Sequence, residues 1–395
     1  MRLEIAIPAL NEEDSIRSVI DRTLAAVPRI LSRSAVTEVG ITVVSDGSTD
    51  RTVEIAREYR DRIKLIVFEQ NRGYGAAIKE AWDRSDAELL GFLDADGTCD
   101  PNFFADLCAT LEREHADLAL GSRIGKGTQM PLLRQIGNRL FASLLTILSG
   151  RRVEDTASGM RVLRRTAYAS LLPLPNGLNF TPAMSARALL GVTAPVKVIE
   201  LPMPYHERQG QSKLRVVRDG FRFLQIILEA LFLYRPSRPL GITGLACLFI
   251  AILVMASPVA HYLRFRNVED WMIDRFVIGH LAGVTAILFL SVSLLSRLAV
   301  RIMITGQYNR DILSVPEKVF LSRYFLVAPL LLLCAGTMLL FRNEHWSRFV
   351  AMSFCYLVAF IFICARLVAY NLLLIARQLE HQREAVTPRV SLSAR

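Results

Sequence analysis

Cysteine is sparse and unpatterned in this chain: Cys99, Cys108, Cys247, Cys334, Cys355 and Cys364 show neither metal-ligand spacing nor regular intervals. That argues against a zinc module and against a disulfide framework. Four of the six lie inside apolar stretches, where a thiol behaves as a small buried hydrophobe. Nucleic-acid-binding signatures are also missing, so the formal charge of +10 points to anionic lipid and not to a nucleic acid partner. The N-terminus, Met1-Arg2-Leu3-Glu4-Ile5, has no signal-peptide pattern and reads as a strand start, so the soluble part is expected to stay cytosolic. A dinucleotide fingerprint is imitated by Asn71-Arg72-Gly73-Tyr74-Gly75-Ala76-Ala77, but Ile78 stands at the third glycine position and the loop follows a later strand. Hydride transfer is therefore disfavoured.

What the chain does contain is apolar length. With 395 residues and 52% hydrophobic composition, it is too long for one ordinary domain and too apolar to be wholly soluble. From residue 1 to about 125, short apolar runs alternate with amphipathic stretches. Leu3 to Ile7, Gly40 to Val44, Ile63 to Phe68, Glu88 to Leu93 and Asp117 to Leu120 read as strands. Asn11-Glu12-Glu13-Asp14 and Ser48-Thr49-Asp50 announce helices. The alternation predicts an α/β fold with a mainly parallel sheet, whose ligands bind outside the carboxyl ends of the strands.

Two basic amphipathic stretches follow, at about 131–149 and 213–234, carrying Arg134 and Arg139 in the first and Arg215, Arg218 and Arg222 in the second. Both suit a membrane interface, and both also suit packing on the sheet or on each other. After Arg235-Pro236-Ser237-Arg238-Pro239 come four apolar segments, about 240–263, 276–295, 324–341 and 349–374, each near the roughly 20 residues that span a bilayer. The third is marginal and contains Pro329, and the loop from Arg264 to Arg275 has mixed charge, so a hairpin that does not fully cross stays open. Arginines and lysines between Arg297 and Arg323, and in the tail, place both on the cytoplasmic side. The expected organisation is a cytoplasmic catalytic domain at 1–235, an all-α transmembrane domain at 236–375 and a cytoplasmic tail at 376–395.

Asp94-Ala95-Asp96 stands directly behind the apolar run Leu89-Leu90-Gly91-Phe92-Leu93. Two carboxylates at one strand end can hold Mg²⁺ or Mn²⁺ together with phosphate oxygens and water. The same residues also read as a turn leading to the helix caps of Asp100-Pro101. At the first strand end stands Pro8-Ala9-Leu10-Asn11-Glu12-Glu13, and at the second Ser45-Asp46-Gly47-Ser48. Glu12 and Asp46 can accept hydrogen bonds from a base or ribose, or simply cap helices. Arg72 and Gly73 would approach a phosphate. Three adjacent strand ends with polar groups suit a metal-bound nucleoside diphosphate.

Together with Gly121-Ser122-Arg123 and Ser158-Gly159-Met160-Arg161, these motifs resemble family 2 glycosyltransferases with the GT-A fold, and within them the polyprenyl-phosphate (dolichyl-phosphate) mannose or glucose synthase type. The resemblance covers about residues 1 to 235. It implies an inverting transfer of a hexose from a nucleotide sugar, UDP-glucose or GDP-mannose, to a polyprenyl phosphate in the membrane. It also implies Asp94 toward the nucleotide and Asp96 on the metal, with Pro8, Ala9, Leu10, Glu12, Asp46, Arg72, Gly73 and Ala95 around the nucleotide. Cations must hold two anions together, and Arg123, Arg134, Arg208 and Lys213, with Ser158, are the candidates for the acceptor phosphate; each cation alone is equally a solvated surface charge. Asp155 and Arg161 bracket a loop that the resemblance puts at the active site, with a structural ion pair as the equal alternative. His206 is expected to be structural.

One departure stands out. Where many members carry acidic residues after a Gly-Phe pair, this chain has Thr181 and Ala183 within Gly177-Leu178-Asn179-Phe180-Thr181-Pro182-Ala183, which puts the donor sugar in doubt. No Gln-x-x-Arg-Trp occurs, which counts against a processive polysaccharide synthase or a ceramide glucosyltransferase. Transfer to another lipid such as a diacylglycerol, or a catalytically silent nucleotide-binding membrane protein, are the alternatives; the oligomeric state is open, a homo-oligomer included.

Overall fold

Alternation of apolar strands and amphipathic helices produces a layered sheet only if the strands run side by side, and they do. The computed structural model describes residues 1–124, 130–191, 196–204, 216–305, 313–341 and 345–386. The chain divides into two units, Met1–Leu231 and Phe232–Arg395.

In the first unit seven strands form one sheet: β1 Arg2–Ala9, β2 Glu38–Asp46, β3 Lys64–Phe68, β4 Leu89–Leu93, β5 Leu118–Ser122, β6 Met160–Arg164 and β7 Val198–Pro202. Their order is β3-β2-β1-β4-β6-β5-β7. Every neighbouring pair is parallel except those made by β6, which runs antiparallel to both β4 and β5. This is the mainly parallel GT-A-like sheet that the sequence predicts, with β6 and β7 added beyond the alternating region. Periodicity does not announce β6, because its five residues include Arg161 and Arg164, and Arg161 is nonetheless fully buried.

Helices cover both faces, as a sheet with so many parallel pairs requires. On one face α1 Ile16–Arg33 and α4 Phe103–Arg113 bury Ile16, Ile20, Ile30, Phe104 and Leu107, with the short α2 Thr52–Arg57 at the edge. On the other, α3 Tyr74–Asp83, α6 Arg165–Leu171 and α7 Phe180–Leu190 pack around Trp82. The indole of Trp82 is fully buried and donates to the Gly91 carbonyl at 2.9 Å. Its ring meets Phe92, Tyr168 and Phe180. Two further helices, α5 Leu132–Ser149 and α8 Val216–Tyr234, are amphipathic, and α5 leaves Leu132, Leu133, Leu140 and Ile147 exposed.

The second unit is helical: α9 Ser237–Phe265, α10 Ile273–Val300, α11 Val315–Leu321, α12 Val327–Leu340 and α13 Trp346–Val386. Among the described residues four helical stretches are long and apolar enough to cross a membrane, Ser237–Phe265, Asp270–Met303, Arg323–Leu340 and Trp346–Leu379. Small residues sit where they approach one another: a Cβ on Gly279 would lie 2.6 Å from Met255 Cγ, and one on Gly283 2.9 Å from the Phe354 ring.

Candidate functional site

Strand register brings the polar segments to one edge. Pro8 lies opposite Val44, Ala6 opposite Phe92 and Leu93 opposite Met160, so β1, β2 and β4 end where β6 begins. Above that edge is a cavity of about 530 Å³. The structure gathers Pro8, Ala9, Leu10, Glu12, Asp46, Gly73, Asp94, Ala95, Asp96, Arg123 and Arg134 on its lining.

Asp94 follows the last residue of β4 and is fixed from two sides. The Tyr74 hydroxyl donates to Asp94 Oδ1 at 2.6 Å, and the Asp94 amide donates to the Gly159 carbonyl at 3.1 Å. A Cβ on Gly159 would come within 1.8 Å of Asp94 Oδ2. Only the missing side chain lets the carboxylate lie against that backbone. Burial and the neighbouring Asp94 charge push the Tyr74 phenol well above its ordinary value, so it remains a donor at neutral pH. Asp96 is buried, and its Oδ1 accepts from the Thr98 amide at 3.1 Å and the Thr98 hydroxyl at 2.7 Å. The buried Ser15 hydroxyl donates to the Ala95 carbonyl at 2.6 Å, tying the start of α1 to the same loop.

Asp46 is occupied in shaping the loop before α3. Its carboxylate accepts from the Arg72 amide at 2.6 Å and the Gly73 amide at 3.0 Å. Burial raises its pKa against the pull of those two hydrogen bonds. Gly73 has φ +105°, and a Cβ there would also meet the Asn176 carbonyl oxygen at 2.4 Å, so this loop position calls for glycine. Arg72 is absent from the lining residues; its guanidinium lies over the Phe68 ring, 4.5 Å from the centroid.

Behind Arg123 on the lining is an ion-pair frame. Arg123 grips Asp155 through Nε at 2.7 Å and Nη2 at 2.9 Å, and its own amide adds a third bond at 3.0 Å. Asp155, fully buried, also accepts from Asn138 Nδ2 at 2.9 Å and the Ala157 amide at 3.1 Å. Burial works to raise the Asp155 pKa, but the Arg123 charge and the hydrogen bonds outweigh it and hold the carboxyl below its ordinary range. Arg161 has a different duty from the ion pair considered for it. Its guanidinium donates to the Ser158 and Thr156 carbonyls and to the Ser185 hydroxyl, bracing the 156–158 turn from within. Burial pushes it down to about 10, which leaves it charged at neutral pH. Ser158 is fully buried, and its hydroxyl donates to the Gly121 carbonyl at 2.6 Å; it is not among the lining residues.

Helices α5 and α8 close the cavity with Arg134, Phe141, Arg218, Arg222 and Phe223. Of the two positions where acids are common in the resembling family, Thr181 reaches the lining and Ala183 lies in the core. Arg208, Lys213 and His206 lie outside the described residues. Sequence reasoning passed over Tyr74, Asn138 and Gly159, and read Arg218 and Arg222 only as the polar face of a helix. The signal for the two arginines was their i, i+4 spacing, which points both to one side.

Among the described residues no group of three or more His, Cys, Asp or Glu side chains is placed to hold a metal. Asp94 and Asp96 are the two carboxylates at this strand end that could hold a hard cation with its remaining ligands from phosphate and water.

The profile of glycosyl transferase family 2 matches residues 4–172. Over 219 residues the chain is 34% identical to a dolichyl-phosphate hexose transferase of Haloferax volcanii, covering 55% of this chain and 89% of that one. The low-salt glycan biosynthesis hexosyltransferase Agl6 of the same organism is 31% identical over 256 residues, with 63% of this chain and 59% of the other covered, so the chain spans less than two thirds of that relative. A dodecaprenyl-phosphate galacturonate synthase of Rhizobium johnstonii is 26% identical over 315 residues, covering 78% of this chain and 86% of its own length.

Proposed function

The chain belongs to glycosyl transferase family 2, and from that premise we propose that it moves a hexose from a nucleotide sugar to a polyprenyl phosphate in the membrane, with inversion at the anomeric carbon. The observation that carries the reading is that one cavity is lined both by the carboxylates of Asp94 and Asp96 and by the guanidinium groups of Arg123, Arg134, Arg218 and Arg222. The transfer brings together a diphosphate donor and a phosphate acceptor, and a lining of that composition serves both.

In this reading the nucleotide lies over the ends of β1, β2 and β4, against Pro8, Ala9, Leu10 and Glu12, with Asp46 keeping the Arg72 and Gly73 backbone in place beneath it. Asp94 and Asp96 would hold Mg²⁺ or Mn²⁺, which supplies neutralisation of the departing diphosphate. The cations hold the acceptor phosphate near the anomeric carbon. One of its oxygens forms the new C–O bond, and the bond to the diphosphate oxygen breaks with its electron pair leaving on the nucleoside diphosphate. A phosphate monoester is substantially ionised near neutral pH, with a second pKa of about 6, so no side chain need remove a proton. Arg123 contributes as a positioned charge whose direction is set by Asp155. Arg208 and Lys213 belong to the acceptor side in this proposal, whereas Ser158, buried and bonded to the Gly121 carbonyl, supports the loop from within and does not meet the acceptor.

The organisation proposed is a catalytic domain at 1–235 on the cytoplasmic face, a membrane domain at 236–375 and a cytoplasmic tail at 376–395. The exposed apolar residues of α5, beside Arg134 and Arg139, support an interfacial position for that helix. The relatives named for dolichyl- and dodecaprenyl-phosphate chemistry support the acceptor class.

The test is transfer of radiolabel from UDP-glucose and GDP-mannose to polyprenyl phosphate in detergent with Mg²⁺ or Mn²⁺. A labelled lipid that disappears with EDTA and with Asp96→Ala is the expected result. Label in diacylglycerol would move the acceptor to another lipid. Nucleotide binding without transfer to any lipid would leave a silent binding domain.

A further inference from the structure

One side chain on the cavity lining is almost enclosed by protein and still has no partner. Thr181, in the first turn of α7, is 5% exposed and lines the cavity. Among the described residues no group hydrogen-bonds to its hydroxyl, and the oxygen is not sealed in the core as the orphan hydroxyl of Ser45 is. It therefore opens on the cavity, offering one donor and two acceptor lone pairs to whatever enters. A ligand that covered this hydroxyl without bonding it would incur the desolvation cost of a buried polar group.

The neighbours of Thr181 hold it in place. Phe180 is fully buried, its ring centroid 6.5 Å from that of Tyr74, 5.9 Å from Trp82 and 6.1 Å from Phe92. A Cβ on Gly75 would lie 2.8 Å from Phe180 Cδ2, so the start of α7 is pressed against the start of α3. The Ala183 amide donates to the Asn179 carbonyl at 3.0 Å, closing the turn that carries Thr181. A β-branched side chain on such a turn has little rotamer freedom left to lose when a ligand arrives.

Tyr74 fixes where this wall stands. Its ring meets Phe180 and its hydroxyl meets Asp94, so the residue after Phe180 is placed on the Asp94 side of the cavity. Leu178, 37% exposed, shares the lining, and the stretch from Gly177 to Thr181 contains no charged residue. With Asp94 at the diphosphate, the group that meets this neutral wall is the one the diphosphate carries. A hexose presents hydroxyls and C–H faces; Thr181 suits the first and Leu178 the second.

We infer that Thr181 is a specificity-determining residue for the donor: its hydroxyl hydrogen-bonds one hydroxyl of a neutral hexose, and Leu178 packs on the C–H surface of the same ring. The inference rests on the proposed transfer reaction.

The experiment compares UDP-glucose, GDP-mannose and their monodeoxy analogues as donors for the full-length protein in detergent, wild type against Thr181→Val, which keeps the shape and removes the hydroxyl. Two quantities are read: kcat/KM for transfer to polyprenyl phosphate, and the concentration that half-displaces labelled UDP or GDP in the presence of Mn²⁺, which needs no acceptor. Wild type should use one deoxy analogue about tenfold less well than its parent, or worse, because a site built around a substrate hydroxyl rejects the analogue that lacks it. Thr181→Val should lose about as much on the parent and treat parent and that analogue alike. Thr181→Ser, which keeps the hydroxyl, should retain the wild-type preference. Equal use of every deoxy analogue by wild type, or an undiminished preference in Thr181→Val, overturns the contact while the transfer reaction stands. Displacement by neither nucleotide sugar overturns the transfer reading and this inference with it. Should Thr181→Val fail to fold, a preference that survives in Thr181→Ala overturns the contact.

Discussion

Tyr74 holds Asp94 from within the cavity lining: the half-buried phenol donates to Asp94 Oδ1 at 2.6 Å while its ring stands edge-on to Phe92 and Phe180. The aromatic contacts set the height of the hydroxyl, and the hydroxyl sets the rotation of the carboxylate. Replacement by phenylalanine retains the first and removes the second. Tyr74→Phe should therefore fold normally and lose about 10- to 100-fold in turnover, the range for one hydrogen bond of roughly 1.5–3 kcal/mol to a charged group. Steady-state rates against metal concentration check this, with circular dichroism as the control. Unchanged kinetics would show that Asp94 does not need the bond.

Gly159 sets the other side of that carboxylate. Because a Cβ there would fall 1.8 Å from Asp94 Oδ2, Gly159→Ala should turn the Asp94 side chain or displace the 156–159 loop. The expected outcome is loss of transfer with the sheet intact, read by paired activity and thermal unfolding measurements. An alanine variant as active as wild type would mean that the loop yields without cost.

Asp155 makes stability depend on acid in a definite direction. Its folded pKa is lowered, so the stabilisation is complete above the ordinary unfolded value of about 3.9 and is lost as pH falls from there through the lower folded value. Asp155→Asn should weaken the fold at neutral pH and flatten that acid limb. Asp155→Ala should cost about 3–5 kcal/mol, because it leaves the largely buried Arg123 without its carboxylate. Unfolding midpoints measured from pH 7 to pH 3 report both effects, and parallel curves for wild type and Asp155→Asn would contradict the assignment.

Arg218 and Arg222 flank the buried Asp219 at 3.8 and 3.5 Å and are themselves half exposed. Their proposed partner is the acceptor phosphate. Arg218→Ala and Arg222→Ala should raise the KM for polyprenyl phosphate several-fold and leave the KM for the nucleotide sugar nearly unchanged. A rise confined to the donor would move these arginines to the other substrate.

The layered sheet was legible because β1 to β5 are short apolar runs separated by amphipathic helices, a pattern that burial on both faces imposes. β6 was not, since Arg161 looks like a surface residue until the carbonyls of Thr156 and Ser158 are found around its guanidinium. The strand-end acids could be read as a group because parallel register brings the ends of β1, β2 and β4 to one edge. Their individual duties could not. Asp46 binds the backbone of residues 72 and 73, and Asp155 reaches Arg123 across 32 positions of sequence. Tyr74 was hidden inside a glycine-rich segment whose small residues drew the attention, and nothing local to it marks a contact with Asp94.

The joint at Asp155 also bears on how such a site can diversify. Its carboxylate is shared by Arg123, Asn138 and Ala157, so a single replacement disturbs the end of β5, helix α5 and the 155–159 loop together, and an altered charge frame requires several coordinated changes. Leu178 and Thr181 line the same cavity, while the neighbouring Phe180 anchors that segment in the core. Single substitutions at those two positions can redraw the lining while the frame stays standing. On the proposed function, sugar selectivity is then the trait that moves in small steps in descent or in directed evolution, and the phosphate-handling frame is the one that is inherited whole.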